Sequence, residues 1–202
     1  MRVIAGILKG RRLMAPTWDG LRPTSDKLRE TLFNILAPRI GGARVLDGFA
    51  GTGAVGIEAL SRGAATVTFV ESDRRAAALI VENLAHCGVA SGYAIIGAHV
   101  ERALVDLRAA PRSKTFDLVF LDPPYASTRG DAGGTHHLDD IVAAAADVLA
   151  PNGLVVLEHA RRWNSPESAG RAFRTRLVPS GDSALSFYEV RMKKEEGKSE
   201  VS

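Results

Sequence analysis

Asp122-Pro123-Pro124-Tyr125 follows an apolar run over residues 116–121 that reads as a buried strand. Two successive prolines lock the backbone and remove two N–H donors, so the carbonyls at this strand end stand free as acceptors. The Asp122 carboxylate and the Pro123 carbonyl then suit a group that donates two hydrogens, and the Tyr125 ring suits a planar base stacked on it. The exocyclic amine of a nucleobase is such a group. Its lone pair is delocalised into the ring, which makes it a poor nucleophile. Accepting both N–H hydrogens in a tetrahedral direction localises the pair and stabilises the positive charge that grows on nitrogen during attack. Asp122, Pro123, Pro124 and Tyr125 are the candidate catalytic set.

A second constellation concerns what the nitrogen would attack. Val45-Leu46-Asp47-Gly48-Phe49-Ala50-Gly51-Thr52-Gly53-Ala54-Val55-Gly56 reads as a strand, a tight turn and a helix start. Gly51, Gly53 and Gly56 satisfy a dinucleotide fingerprint, and Glu71 falls at a later strand end where a carboxylate can hold ribose hydroxyls. Asp47 argues against a dinucleotide. Beside a pyrophosphate its charge would be repelled by several kcal/mol at ~4 Å and an effective dielectric of ~20. S-adenosylmethionine reverses the sign, because it carries no phosphate and presents an ammonium and a sulfonium. The competing reading of Asp47 is a cap for the turn that follows it.

These groups need a scaffold that brings strand ends to one edge. From residue 44 onward, short β-rich runs at 44–46, 66–70, 93–96, 116–121 and 154–158 alternate with amphipathic stretches at 54–62, 74–86, 101–109 and 138–149. That rhythm predicts βα units and a parallel sheet. Pro151-Asn152-Gly153 reads as a turn before the fifth strand. Two further strands, at 173–178 and 184–192, are joined through Pro179-Ser180-Gly181-Asp182 with no helix between them and should pair antiparallel. The expectation is an α/β, Rossmann-like mixed sheet of about seven strands ending in an antiparallel hairpin.

The N-terminus differs in charge. Residues 1–44 carry nine Lys or Arg against three acids, a net +6, while the rest of the chain nets −3. Runs at 3–8 and 12–15 flank Lys9-Gly10-Arg11 and read as a basic hairpin. Arg22-Pro23-Thr24-Ser25-Asp26 then leads into a helix with Ser25 or Thr24 as N-cap. Leu28, Leu32, Ile35 and Leu36 form its docking stripe, and the other face offers Lys27 and Arg29. Arg2, Lys9, Arg11, Arg12, Arg22 and Arg29 are the candidate contacts to a phosphate backbone. The expected organisation is a basic module at 1–40 packed on the core, a catalytic domain at 41–192 and a polar tail at 193–202.

Taken in order along the chain, these motifs resemble the bacterial small-subunit (16S) ribosomal RNA guanine-N2 methyltransferases. The resemblance covers about residues 2 to 190 and rests on Arg2-Val3-Ile4-Ala5-Gly6, Gly10-Arg11-Arg12-Leu13, Arg22-Pro23-Thr24-Ser25-Asp26, Arg29-Glu30-Thr31-Leu32-Phe33-Asn34, Phe49-Ala50-Gly51-Thr52-Gly53, Gly56-Ile57-Glu58-Ala59-Leu60-Ser61-Arg62-Gly63-Ala64, Asp122-Pro123-Pro124-Tyr125 and Gly181-Asp182-Ser183-Ala184-Leu185-Ser186-Phe187-Tyr188. It implies a class I S-adenosylmethionine-dependent fold, with Asp47, Phe49, Ala50, Gly51, Gly53 and Glu71 lining the cofactor and Ala98 and His99 beside its adenine. It also implies a small-subunit or 16S rRNA substrate. Two departures stand out. Gly48 occupies a place where the family often has Leu, which should loosen packing by the turn. Gly97-Ala98-His99-Val100 lacks the acid often found there to meet the adenine amine.

The preference for guanine belongs to the resemblance, since an amine-acceptor site serves adenine equally. The alternative is therefore an adenine-N6 methyltransferase on DNA or other RNA. A nicotinamide oxidoreductase and a non-catalytic RNA-binding factor complete the rivals. No run reaches the roughly 20 apolar residues that span a bilayer, so the expected location is the cytoplasm, without membrane contact. Nothing demands a dimer, and a monomer is expected. Cys87 alone makes no disulfide and reads as a packed thiol. His136 and His137 without further ligands make no metal site, and the stretch 126–137 reads as a flap. His86, His159, Trp18 and Trp163 read as packing or solvent positions.

Overall fold

The computed structural model describes residues 1–18, 25–110, 115–124 and 134–190. Helix α1 (Asp26–Ile40) starts at Ser25, whose side chain accepts from the Leu28 N–H. Strand β1 (Arg44–Asp47) is followed by α2 (Ala54–Ser61), β2 (Thr66–Val70), α3 (Arg74–His86), β3 (Tyr93–Ile96), α4 (Val100–Ala109), β4 (Phe116–Leu121), α5 (Gly134–Asp147), β5 (Leu149–Ala160), β6 (Ser168–Ala169), β7 (Ala172–Ser180) and β8 (Ser183–Val190). The sheet order is β3-β2-β1-β4-β5-β8-β7-β6. Strands β1 to β5 run parallel, and β8, β7 and β6 add antiparallel. This is the Rossmann-like mixed sheet the alternation predicts, with eight strands instead of about seven. The extra one, β6, has two residues and leaves no periodicity to read.

Alternation within the strands divides the core. Val45, Leu118, Phe120, Leu154 and Val156 face one way, toward α1, α2 and α3. Leu46, Val119, Leu121, Val155 and Leu157 face the other, toward α4 and α5. Val3, Leu8 and Leu13 of the N-terminal strap and Leu28, Leu32, Phe33 and Leu36 of α1 are buried in the first cluster. Residues 1–40 thus share one apolar layer with the sheet wherever they are described.

Local departures have physical causes. The Pro151-Asn152-Gly153 turn lies inside β5 as a bulge: pairing jumps from Phe116↔Leu149 to Leu118↔Leu154, and Asn152 takes φ 63° to make the excursion. The N-terminal hairpin is a strap of turns in which Val3, Gly10 and Leu13 N–H groups bond across the segment around one antiparallel bridge, Arg2↔Arg12, while the Ile4, Ala5, Ile7 and Leu8 amides bond to α2 instead of extending the ladder. Gly48 does not loosen the core. A Cβ there would sit 2.6 Å from Leu121 Cδ2 and 3.2 Å from the Phe120 carbonyl oxygen, so neighbours already fill that space. His136 and His137 fall within α5, which begins at Gly134. The remainder of the flap expected at 126–137, and the tail at 193–202, lie outside the described residues.

Candidate active site

Crossing directions of the chain place the site. In a parallel sheet wound 3-2-1-4-5, ligands meet the crevice at the carboxyl ends of β1 and β4, where the winding reverses. Asp47 ends β1 and Asp122 follows the last residue of β4. The two strands are neighbours, with Asp47 paired to Phe120.

The turn after β1 is built by hydrogen bonds from glycines. Gly53 holds φ 78° as the N-cap of α2, a left-handed conformation that costs an L residue strain. Gly56 lets α2 lie on the sheet, since a Cβ would come 2.2 Å from the Phe69 ring. The fingerprint amides are occupied: Gly51 N–H donates to Glu71 Oε2 at 2.8 Å, Gly53 N–H to the Ala50 carbonyl at 2.7 Å, and Gly56 N–H to Asp47 Oδ2 at 3.0 Å. A pyrophosphate cradle needs those N–H groups free. Here two of the three meet carboxylates, so the turn suits a cationic ligand and not a dinucleotide. Asp47 does cap the turn, as its competing reading held, and it also contributes to the charge of the crevice.

Electrostatics sharpen this point. Asp47 is 1% exposed. Burial pushes its carboxyl from 3.8 up to about 7, against the lowering effect of the Gly56 N–H, and the charges of Asp122 and Glu71 raise it further. Asp47 at the end of β1 therefore senses the acidic groups that follow β2 and β4. Glu71 is fixed through a second bond, from the Asp73 N–H to Oε1 at 2.8 Å. A positive charge brought among them would be stabilised and would favour ionised Asp47. An ammonium and a sulfonium fit this set of acidic acceptors.

Phe49 is half-buried and Ala50 is buried, its N–H tied to the Val70 carbonyl at 3.0 Å. Ala98 and His99 follow β3 on the same edge; His99 is exposed and caps α4 without a side-chain bond. Asp122 is half-buried, Pro123 buried and Pro124 exposed. Tyr125 lies outside the described residues, as does Arg22.

Arg2, Lys9, Arg11 and Arg12 are all exposed on the strap. Arg29 is not, and its assignment to RNA is corrected. It is 0% exposed, and its Nη2 donates to the Arg2 carbonyl at 2.7 Å and to Asp26 Oδ1 at 2.8 Å. Burial lowers its pKa, with Asp26 opposing. The reason is helical geometry: Arg29 stands one turn before Phe33, inside the buried face of α1 and not opposite it.

Three polar residues escaped the sequence reading. Glu58 accepts the Ile4 and Ala5 N–H groups at 2.7 and 3.0 Å, and Ser61 Oγ accepts the Leu8 N–H at 2.9 Å, so α2 holds the strap. Asn83 binds Met14 and Thr52. Their signal was available: each is polar on a helix face that is otherwise apolar or small. The bland readings of other residues agree with their surroundings. Trp18 lies under the Arg75 guanidinium at 5.0 Å and Trp163 packs edge-on to His159 at 4.9 Å. Cys87 is buried, and burial pushes its thiol pKa up. Among the described residues no group of three or more His, Cys, Asp or Glu side chains could hold a metal, and no helix is long and apolar enough to cross a membrane.

Comparison with known proteins bears on the fold and the family. A Bacillus subtilis protein, "Putative rRNA methyltransferase YlbH", is 38% identical over 191 residues, covering 95% of this chain and 100% of that one. "Ribosomal RNA small subunit methyltransferase D" of Haemophilus influenzae is 44% identical over 126 residues, 62% of this chain and 64% of its own length. The solved "Putative methyltransferase yhhF from Escherichia coli" superposes with a TM-score of 0.75 at 35% identity, over 95% of this chain and 98% of that one. The sheet is accordingly that of a Rossmann-like class I methyltransferase. The family model described as "Conserved hypothetical protein 95" matches residues 1–189, and the chain belongs to that family.

Proposed function

We propose that this protein transfers the methyl group of S-adenosylmethionine to the exocyclic N2 amine of a guanine in small-subunit (16S) ribosomal RNA. The observation that carries the reading is the meeting of Asp47 and Asp122 at neighbouring strand ends, close enough for the charge of Asp122 to raise the Asp47 pKa. When bound, the cofactor supplies an electrophilic methyl on a positively charged sulfur. Asp47 and Glu71 draw that charge and the ribose to the glycine turn. Asp122 and the Pro123 carbonyl would accept the two amine hydrogens and direct the nitrogen lone pair to the methyl carbon, so that the new N–C bond forms as the S–C bond breaks and S-adenosylhomocysteine is the leaving group. The charge that develops on nitrogen faces the Asp122 carboxylate, and the proton leaves afterwards from an acidic ammonium.

The target base has to leave its stack to reach Asp122, which costs a few kcal/mol unless it already lies in a loop. Phosphate contacts from Arg2, Lys9, Arg11 and Arg12 would offset that cost. The RNA substrate is supported by relatives named for ribosomal RNA, and guanine by the family resemblance of the motifs. Such a substrate sets the reaction in the cytoplasm.

The test is to incubate the protein with methyl-labelled S-adenosylmethionine and, separately, unmodified small subunits, free 16S rRNA and DNA, and to digest each to nucleosides. Label in N2-methylguanosine from the ribosomal substrates is expected. Label in N6-methyladenosine, or none in any arm, would overturn the reading.

A further inference from the structure

Asn83 is 0% exposed on α3, among the buried Ala76, Leu79, Ile80 and Leu84. A primary amide in such a place is tolerated only when its donors and acceptor are met. Asn83 meets them in an unusual way. Its Oδ1 accepts the Met14 N–H at 2.7 Å, and its Nδ2 donates to the Met14 carbonyl at 3.3 Å and to the Thr52 carbonyl at 2.9 Å. One side chain thus clasps both sides of residue 14, at the end of the basic strap, together with the carbonyl between Gly51 and Gly53 in the glycine turn.

The other part of the strap is held by α2, the helix that grows out of that turn. Ile4 and Ala5 donate to Glu58, Ile7 donates to the Ser61 carbonyl at 2.8 Å, and Leu8 donates to Ser61 Oγ. Lys9, Arg11 and Arg12 therefore stand on a segment fastened on both sides to one unit, the turn and its helix. Ordering either surface orders part of the other. A first ligand that removes freedom at Thr52 also removes it at Met14, so a second ligand meets a smaller entropic loss.

We infer that Asn83 is a positioning residue that couples the RNA-gripping strap to the cofactor turn, so that RNA and cofactor each tighten the binding of the other. The inference rests on the function proposed above. Asn83 is fully buried and acts only through Met14 and Thr52. Linkage requires the coupling factor to be the same from either direction.

The experiment uses the full-length protein, labelled S-adenosylhomocysteine and unmodified small subunits. The dissociation constant of each ligand is measured alone and with the other at saturation, for wild type, Asn83→Ala and Met14→Pro. Met14→Pro deletes the N–H that Asn83 Oδ1 accepts and fixes the backbone of residue 14 while leaving the sequence of α3 unchanged, so it serves if Asn83→Ala fails to fold. Wild type should show about fivefold or greater mutual tightening. In the variants that factor should collapse to below about twofold, with each affinity alone within about threefold of wild type. Hydrogen exchange on wild type should also show S-adenosylhomocysteine slowing exchange of the Met14 amide. Independent binding in wild type, or coupling that survives both variants, would overturn the inference while leaving the proposed function standing. Failure of wild type to bind either ligand would overturn both.

Discussion

Two carboxylates with different environments divide the chemistry at the site. Asp122 is half-buried where it follows β4, and the role proposed for it toward the target amine is electrostatic and geometric. Asp122→Ala should leave S-adenosylhomocysteine affinity within a few fold and lower the single-turnover methylation rate by about 10²–10³-fold; an unaltered rate removes Asp122 from the mechanism. Asp47 predicts a pH signature. Its folded pKa is raised to about 7, so the folded protein binds a proton that the unfolded chain has lost between pH ~4 and ~7, and its contribution to stability falls as pH rises through that window. A cation in the crevice should reverse the shift and expel the proton. Calorimetry in buffers of different ionisation heat should find proton release approaching about one per cofactor near pH 6 and none near pH 8. Asp47→Asn should abolish the release, and no release from wild type near pH 6 would deny the carboxylate its place beside the cofactor. Asp47, Glu71 and Asp122 were legible as candidates because each closes or follows a strand-forming run, and the structure brings Asp122 and Glu71 within electrostatic reach of Asp47. Arg29 was misread because charge pointed outward while its helical position pointed in.

At the scale of elements, the strap matters more than its lack of regular structure suggests. Turns at residues 5–10 expose Lys9, Arg11 and Arg12, while Val3, Leu8 and Leu13 anchor the segment in the core. Replacing Lys9, Arg11 and Arg12 together with Gln should weaken subunit binding and reduce the slope of log K against log salt by about two to three. A slope equal to that of wild type would show that phosphates are gripped elsewhere. The strap was legible as basic and apolar in alternation. It was not legible as a strap, because the partners that replace a hairpin ladder, Glu58, Ser61 and Asn83, come from helices far along the chain.

Across the whole molecule, one apolar layer joins the strap, α1, α2, α3 and a face of the sheet. Unfolding should therefore be cooperative. The two tryptophans report on opposite parts: Trp18 under Arg75 near the strap, and Trp163 against His159 beyond β5. Urea titrations of Trp18→Phe and Trp163→Phe, each followed by the remaining indole, should each give a midpoint that coincides with the loss of far-ultraviolet circular dichroism of the same variant. An earlier midpoint for Trp18 would make residues 1–40 a separately folding module. Such a result would also weaken the case for coupling through Asn83.

Strand and helix rhythm, the glycine turn, the strand-end carboxylates and the excess of N-terminal cations are local properties, set by neighbours within a few residues, and a single sequence discloses them. The bulge in β5, the two-residue β6, the tight filling around Gly48 and the inward turn of Arg29 depend on what another segment brings to the same space. So does the burial of Asp47, which lifts its carboxyl toward neutrality once water is excluded, with the charge of Asp122 adding to the rise because β1 and β4 lie side by side. Burial and long-range pairing are properties of the assembled chain, and for that reason only the tertiary structure could decide them.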